Sequence, residues 1–358
     1  MIDLHELINN PSREALATWL AEEDQTKVEQ LWEAAGRCKS ETIGDSVWLR
    51  GIIELSNICE RDCLYCGIRC SNRKVDRYDL TETQVLAAAD FAWKERYGSL
   101  VIQSGERTGT DFVKRITKLV RTIKHQTNNT LGITLSCGAQ PLETYREWYQ
   151  AGAHRYLLRI ESSNPNLFAK LHPSDGRHGY TTRLQALKNL KKIGYQTGTG
   201  VMIGLPGQSV FDLADDLLFF KELDIDMVGM GPYLEHKDTP LFALRDQLIP
   251  QDKRLILTLK MISLLRLIMK DINIAATTAL QAIDPLGRER AVLAGANIIM
   301  PNMTVPQFRP NYQIYNNKPG INEDAELSKS KLERNLAEMG IKIAWDEWGD
   351  SLHHQKRT

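Results

Sequence analysis

Six cysteines stand at positions 38, 59, 63, 66, 70 and 137, so four fall within one short stretch and none follows Cys137. The segment Cys59-Glu60-Arg61-Asp62-Cys63-Leu64-Tyr65-Cys66 reads Cys-x3-Cys-x2-Cys. Three thiolates spaced in this way can wrap three corners of a 4Fe–4S cube and leave the fourth iron open to a small chelating molecule. A plainer reading makes positions 59, 63 and 66 an apolar stripe on a helix. Glu60, Arg61 and Asp62 make the segment too polar for that, and thiols at this density are reactive. Cys70 extends the run to Cys-x3-Cys-x2-Cys-x3-Cys, which would close a cluster fully or hold a tetrahedral zinc. A disulfide framework belongs to smaller secreted chains and would be spread more evenly. Cys38 and Cys137 lack sequence partners, and Cys38 reads as core packing.

The elements that must position these thiols follow from the rest of the chain. It has 358 residues, with 45 Lys+Arg against 45 Asp+Glu and a formal charge of zero. No broad basic field exists to hold nucleic acid or an anionic membrane. A content of 42% hydrophobic and 25% charged residues is ordinary for a soluble globular protein. No run approaches the roughly 18 uninterrupted apolar residues of a membrane span. Met1 to Asn10 carries Asp3 and Glu6 and lacks a signal pattern, so a cytoplasmic protein is expected.

Residues 11–37 carry Leu16, Trp19, Leu20, Val28, Leu31 and Trp32 at helical spacing, with Asn10-Pro11 as a start signal. Beyond them, short β-branched runs alternate with longer amphipathic stretches. Strands are expected at Val47–Leu55, Ser99–Gln103, Gly132–Ser136, Arg155–Ile160, Thr199–Ile203, Met227–Met230, Asn273–Thr277 and Asn297–Met300. Helices are expected near 81–97, 110–127, 141–151, 182–193, 211–223, 252–269, 286–294 and 324–339. Gly152 and Gly194 read as helix stops. Eight such units fit an α/β fold of the (β/α)8 TIM-barrel type, with an N-terminal helical extension over 1–43 and the barrel with a C-terminal helix over 44–358.

In such a barrel the strand ends and the loops after them form the active face. Here those ends read Ser56-Asn57-Ile58-Cys59, Gln103-Ser104-Gly105-Glu106, Thr134-Leu135-Ser136, Arg159-Ile160-Glu161, Met202-Ile203-Gly204, Met230-Gly231-Pro232-Tyr233, Thr277-Thr278 and Met300-Pro301-Asn302. Polar groups recur at nearly every one. A buried Arg159 with several hydroxyls around it suits an anionic small molecule bearing a carboxylate; an internal pair with Glu161 is the alternative, and the ring of hydroxyls favours the ligand. The series Gly198-x-Gly200-x-x-x-Gly204 has the wrong spacing and place for a dinucleotide fingerprint.

A Cys-x3-Cys-x2-Cys run after a first strand, with Tyr65 before its last cysteine, resembles the radical S-adenosylmethionine (SAM) superfamily. Further strings from about residue 44 to 315 resemble the FeFe-hydrogenase maturases of the HydE group. They include Ile53-Glu54-Leu55-Ser56-Asn57, Tyr156-Leu157-Leu158-Arg159, Gly204-Leu205-Pro206-Gly207-Gln208, Ala276-Thr277-Thr278-Ala279 and Asn297-Ile298-Ile299-Met300-Pro301-Asn302.

The resemblance implies one 4Fe–4S cluster on Cys59, Cys63 and Cys66, and SAM on its open iron as the source of a 5′-deoxyadenosyl radical. It implies that Ser104, Gly105 and Glu106 receive the SAM amino group, with backbone close to the ligand at Gly105. Glu161 would bind the ribose, Arg183 the SAM carboxylate in the fork geometry suited to that group, and Tyr65 would lie near the adenine. Gly204 would let strand backbone approach the adenosyl group. A cavity inside the barrel would be lined by Gln103, Thr134, Ser136, Arg159, Thr277, Thr278, Met300 and Tyr315, with Arg159, Thr277, Thr278 and Tyr315 nearest the chemistry. The implied substrate is a small iron complex, a cysteine-bound Fe(CO)2(CN), supplied by a partner maturase, with a ferredoxin or flavodoxin as electron donor.

Lys318 to Asp324 contains no cysteine, so a second cluster is not expected. Cys70 is left as an extra weak ligand, a neighbour of the cluster, or a loop thiol. The rival enzyme reading is 3-methylornithine synthase, a lysine mutase whose cavity needs an acidic group. Biotin synthase needs further barrel cysteines. A closed, non-catalytic iron–sulfur or zinc protein is the rival outside catalysis.

Overall fold

The computed structural model describes residues 4–176, 178–321 and 325–357. Among them, eight strands run parallel in a closed ring: β1 (Ser46–Ser56), β2 (Ser99–Ser104), β3 (Gly132–Ser136), β4 (Arg155–Leu157), β5 (Gln196–Thr199), β6 (Met227–Val228), β7 (Asn273–Ala276) and β8 (Ile298–Ile299). Each pairs with the next, and β8 returns to β1 through Trp48 opposite Ile298. The strands are rich in Val, Ile and Leu and are covered on their outer side by helices, as parallel sheets require. Lateral register stacks the lumen in layers. Glu54, Gln103 and Ser136 lie side by side, and two residues earlier Ile52, Val101, Thr134 and Arg155 do the same.

Fourteen α-helices occur among the described residues. Three precede the barrel: α1 (Leu4–Asn9), α2 (Arg13–Ala21) and α3 (Gln25–Thr42). The crossovers carry α4 (Glu82–Lys94), α5 (Thr110–Gln126), α6 (Leu142–Gln150), α7 (Pro165–Leu171), α8 (Tyr180–Ile193), α9 (Val210–Glu222), α10 (Gln251–Ile268), α11 (Thr278–Ile283) and α12 (Gly287–Leu293). After the last barrel strand come α13 (Ala325–Glu338) and α14 (Leu352–Arg357). Of the segment Lys318 to Asp324, residues 322–324 lie outside the described residues, as does the first residue of the helix expected over 324–339. No helix of the described residues is long and apolar enough to cross a membrane.

The expected boundaries shift for local reasons. The helical stretch read over 11–37 divides at Glu22–Asp24, because Asp24 accepts from the backbone N–H of Thr26 (2.9 Å) and Lys27 (3.3 Å) and so begins a second helix. Ser12, not Asn10-Pro11, caps the first. The fifth strand starts at Gln196, directly after the left-handed Gly194 that stops α8, and is over by Thr199. Met202–Ile203 instead pairs with Gly231–Pro232 in a separate parallel ladder above the ring. The fourth strand ends at Leu157, not Ile160, and the chain turns at Glu161.

Several elements had no counterpart in the sequence reading, among them α7, α11, α14 and one further strand. β9 (Lys342–Ile343) adds to the start of β1, and the residues after it cross the amino end of the barrel. Gly349 O accepts from Arg50 Nη2 and from Asn273 Nδ2, both at 2.9 Å. Arg155 Nη1 donates to Trp348 O (2.7 Å) and Asp350 Oδ1 (2.8 Å), and the Ser351 N–H donates to Gln196 Oε1 (2.9 Å). Four barrel strands are thereby tied to one plug.

Candidate active site at the carboxyl end of the barrel

Cys59, Cys63 and Cys66 lie on the loop that leaves β1, at the end of the barrel opposite the plug. The loop has little regular structure, so its shape comes from side chains that satisfy its backbone. Arg77 does most of this. Its Nη1 donates to Asn57 O (2.6 Å) and Ile68 O (2.8 Å), and its Nη2 to Arg69 O (2.6 Å) and Asn72 O (3.0 Å). Asn57 donates to Asp76 O (2.8 Å) and Asn311 O (2.7 Å), while Asp62 accepts from Arg69 (2.6 Å). None of these groups was singled out from the sequence. An arginine whose partners are backbone carbonyls has no periodic signature.

Strand β2 presses directly on this loop. The Glu60 N–H donates to Glu106 O and the Gly105 N–H to Ser56 O, each at 2.8 Å. A Cβ on Gly105 would stand 2.3 Å from Ile58 O and 2.8 Å from the Cys59 Cβ. The close approach at Gly105 is therefore to the cysteine loop itself. Ser104 turns its hydroxyl to Gly105 O. Burial raises the pKa of the Cys59 thiol, raises that of Cys63 further, and pushes Cys66 up to about 12. Each of these shifts includes repulsion from a neighbouring cysteine, and Arg77 opposes it for Cys66. Three crowded thiols must lose their protons to bind a cation, whose charge would then offset the repulsion among the thiolates. Cys70 lies within electrostatic reach of Cys59, with its N–H held by Arg61 O.

Glu106 is 7% exposed and bridges two arginines. Arg61 Nε donates to one carboxylate oxygen at 2.6 Å and Arg183 Nη1 to the other at 3.1 Å. Arg183 sits in the first turn of α8, and its Nε donates to Arg159 O (2.9 Å). Arg61, Glu106, His178 and Arg183 line a cleft of about 550 Å³. Glu161 adopts φ +67°, a left-handed backbone that costs a non-glycine residue of the order of 1 kcal/mol. It is held there by its N–H to Gly200 O (2.9 Å) and by Met202 N–H to its own carbonyl (3.1 Å). Arg159 donates to Glu161 Oε2 (3.0 Å) and Val201 O (2.8 Å), so the internal pair is what the fold forms.

The remaining expected residues divide between places. Glu54, Thr278, Arg288, Met300, Asn302 and Lys318 line a cavity of about 280 Å³ at the barrel mouth. Lys318 Nζ donates to Glu54 Oε1 there, and Asn302 Nδ2 donates to Oε2 at 3.2 Å. Neither Glu54 nor Lys318 was expected in the site. The inward parity of β1, with Glu54 between apolar Ile53 and Leu55, was the available signal. Tyr315 lies within electrostatic reach of Glu54, Arg159 and Arg288, and its burial raises its pKa. Gln103 Nε2 donates to Tyr312 Oη (3.2 Å), and Thr277 Oγ1 to Met230 O (3.2 Å). Ser136 ends β3 beside Gln103. Thr134 lies deeper, where its hydroxyl accepts from Arg155 Nε at 3.0 Å. Gly204, at φ +81°, gives its N–H to Gln208 Oε1 (2.7 Å), and the space of its missing Cβ is filled by Arg254.

Tyr65 meets one of two stacked histidines that the sequence reading passed over. Its Oη stands 3.5 Å from His172 Nε2, and the His172 and His178 rings stack with centroids 4.2 Å apart. One ligand atom from each of Cys63, His172 and His178 can be chosen so that all lie within 4.8 Å of one another. Burial pushes His172 down to about 4 and His178 lower still, so both are neutral imidazoles.

The comparisons with known proteins agree with this geometry. Residues 53–220 match the model of the radical SAM superfamily. The chain is 42% identical over 315 residues to the FeFe-hydrogenase maturase subunit HydE of Thermotoga maritima, covering 86% of this chain and 84% of that one. It is 27% identical over 300 residues to 3-methylornithine synthase of Methanosarcina barkeri, covering 84% of this chain and 80% of that one. A crystal structure of methylornithine synthase superposes with a TM-score of 0.80 at 24% identity, over 96% of this chain and 98% of the other. A closed parallel barrel, three crowded thiols at its carboxyl end and these matches make the chain a member of the radical SAM superfamily and an enzyme of that type.

Proposed function

We propose that this enzyme acts in FeFe-hydrogenase maturation, using one 4Fe–4S cluster held by Cys59, Cys63 and Cys66 to cleave SAM. The observation that carries the chemistry is the loop of three crowded thiols held in place by Arg77 and β2, which fits a cationic cluster. When bound, the cluster supplies the electron that gives methionine and a 5′-deoxyadenosyl radical from SAM. Glu106 and Arg183 then orient the amino-acid head of SAM, Glu161 takes the ribose hydroxyls, and Tyr65 and Gly204 flank the adenosyl group. Arg159, Thr277, Thr278 and Tyr315, with Gln103, Thr134, Ser136 and Met300, make the walls that receive a small iron complex bearing a cysteine carboxylate. Maturation is favoured by the 42% identity to the Thermotoga maturase over most of both chains. Partner maturases and a ferredoxin or flavodoxin donor, all in the cytoplasm, complete the proposal.

A second reading, lysine mutation as in 3-methylornithine synthase, has one observation in its favour. Glu54 is an acidic group inside the barrel, although Lys318 already neutralises it. The deciding experiment reconstitutes the protein with iron and sulfide without oxygen, then adds SAM and dithionite. Release of 5′-deoxyadenosine is expected, and none at all would sink the enzyme assignment in favour of a closed metal protein. Adding the cysteine-bound iron complex or lysine to the same mixture then separates the two substrates, since only the true one is consumed.

A further inference from the structure

We infer that the cluster-free chain binds a single divalent first-row transition-metal ion through Cys63, His172 and His178. The inference goes beyond the cluster assignment and stands whether or not a cluster is later built there. Their ligand atoms lie within 4.8 Å of one another. A tetrahedral ion with a metal–sulfur distance of about 2.3 Å and metal–nitrogen distances of about 2.0 Å holds such atoms roughly 3.5 Å apart. Closing the set therefore takes about an ångström of side-chain movement.

The histidines are prepared for this in different ways. His172 Nδ1 donates to Phe168 O at 2.8 Å, which fixes the tautomer and makes Nε2 an acceptor, met only by the distant Tyr65 hydroxyl at 3.5 Å. Metal-binding histidines are commonly oriented by this kind of backbone contact. His178 is the opposite case: both ring nitrogens are shielded from solvent and neither has a hydrogen-bond partner. A polar pair buried without a partner is costly, and a metal would satisfy one of the two nitrogens. The two rings stack at an interplanar angle of 9°, and because an imidazole lone pair lies in the plane of its ring, one ring must rotate for both nitrogens to meet one ion. On binding, Cys63 forms a sulfur–metal bond and its proton leaves to solvent. No electron moves, and water fills the fourth position.

Because Cys63 would serve both this ion and one corner of a cluster, the two occupants exclude each other. The site is thus a place where a lone ion enters the empty pocket, or where the wrong ion blocks it. Cobalt(II) is the probe, since a cobalt–thiolate bond gives a near-ultraviolet charge-transfer band. Metal-free reduced protein should take up one equivalent of cobalt(II) with that band, and zinc(II) should displace it. The Cys59→Ser/Cys66→Ser variant should bind as the natural chain does. His178→Ala, which breaks no hydrogen bond, should weaken binding about tenfold or more, and His172→Ala should do the same. Circular dichroism checks that each variant is folded. Unweakened binding in the histidine variants, or loss in the paired cysteine variant, would show that the cysteines alone hold the ion and overturn the assignment. No cluster enters the measurement, so failure of the SAM chemistry would leave the result readable.

Discussion

At the amino end of the barrel, Arg155 is fully buried but reaches Asp350 at 2.8 Å, and Arg50 reaches the Gly349 carbonyl at 2.9 Å. At the carboxyl end, Cys59, Cys63 and Cys66 crowd together with raised pKa values, Glu161 holds a left-handed backbone, and His178 has no hydrogen-bond partner. Asp216, on α9 behind this face, accepts from the Ser163 N–H at 2.6 Å, while its second oxygen is buried without a partner. One end pairs its charges within the chain, although Arg50 Nε, Arg155 Nη2 and both His154 ring nitrogens stay buried without hydrogen-bond partners. The other carries groups whose satisfaction comes from outside, and in a barrel enzyme that is the end at which ligands arrive.

The sharpest way to break this contrast is to alter one group at each end and ask which property fails. Cys63→Ala should reduce SAM cleavage to background while changing the free energy of unfolding by no more than about 1 kcal/mol. A large loss of stability instead would make the cysteine loop part of the scaffold. Asp350→Ala should do the reverse. It leaves the Arg155 charge buried without its carboxylate and should lower stability by about 3 kcal/mol, read by urea unfolding. The folded fraction should still cleave SAM.

A smaller effect tests the carboxyl side through pH. Burial raises Asp216 from its ordinary 3.8 to about 7. The native state therefore binds a proton that the unfolded chain has already lost, and stability falls as pH rises through 7. Between pH 6 and pH 8 the loss amounts to about 1 kcal/mol. Asp216→Asn should flatten that slope, and an unchanged slope would return Asp216 to the ranks of ordinary carboxylates. Smallest of all, Cys70→Ala should leave cluster assembly and SAM cleavage nearly as they were. Loss equal to that of Cys63→Ala would close the metal site and favour a non-catalytic protein.

The barrel was legible because its signal is periodic. Eight apolar runs separated by helix-length stretches mark the strands even where their limits moved. Gly152 and Gly194, expected as helix stops, take φ +113° and +104°. The cysteine triad was legible because its ligands lie close in sequence. What stayed hidden depends on partners far apart in the chain. Lys318 reaches Glu54 across 264 residues, and nothing local in either announces the other. Arg77 looks like one charge among many until its carbonyl partners are placed around it. His172 and His178 are separated by an ordinary loop, and only folding stacks them beside Cys63. Arg155, which donates to the Thr134 hydroxyl, comes from the next strand, and spacing along β3 does not announce it.

The plug also orders events during synthesis. Residues 342–351 leave the ribosome after every strand of the ring, and Arg50 waits for a partner 299 residues away. Until that segment arrives, the arginines of the barrel floor must stay hydrated, so the ring can assemble around them but cannot dry out. Contacts of such separation are the slow ones to form. The final sealing of the barrel is therefore a late step in folding, and a nascent chain stalled just short of residue 342 should hold an assembled but water-filled barrel.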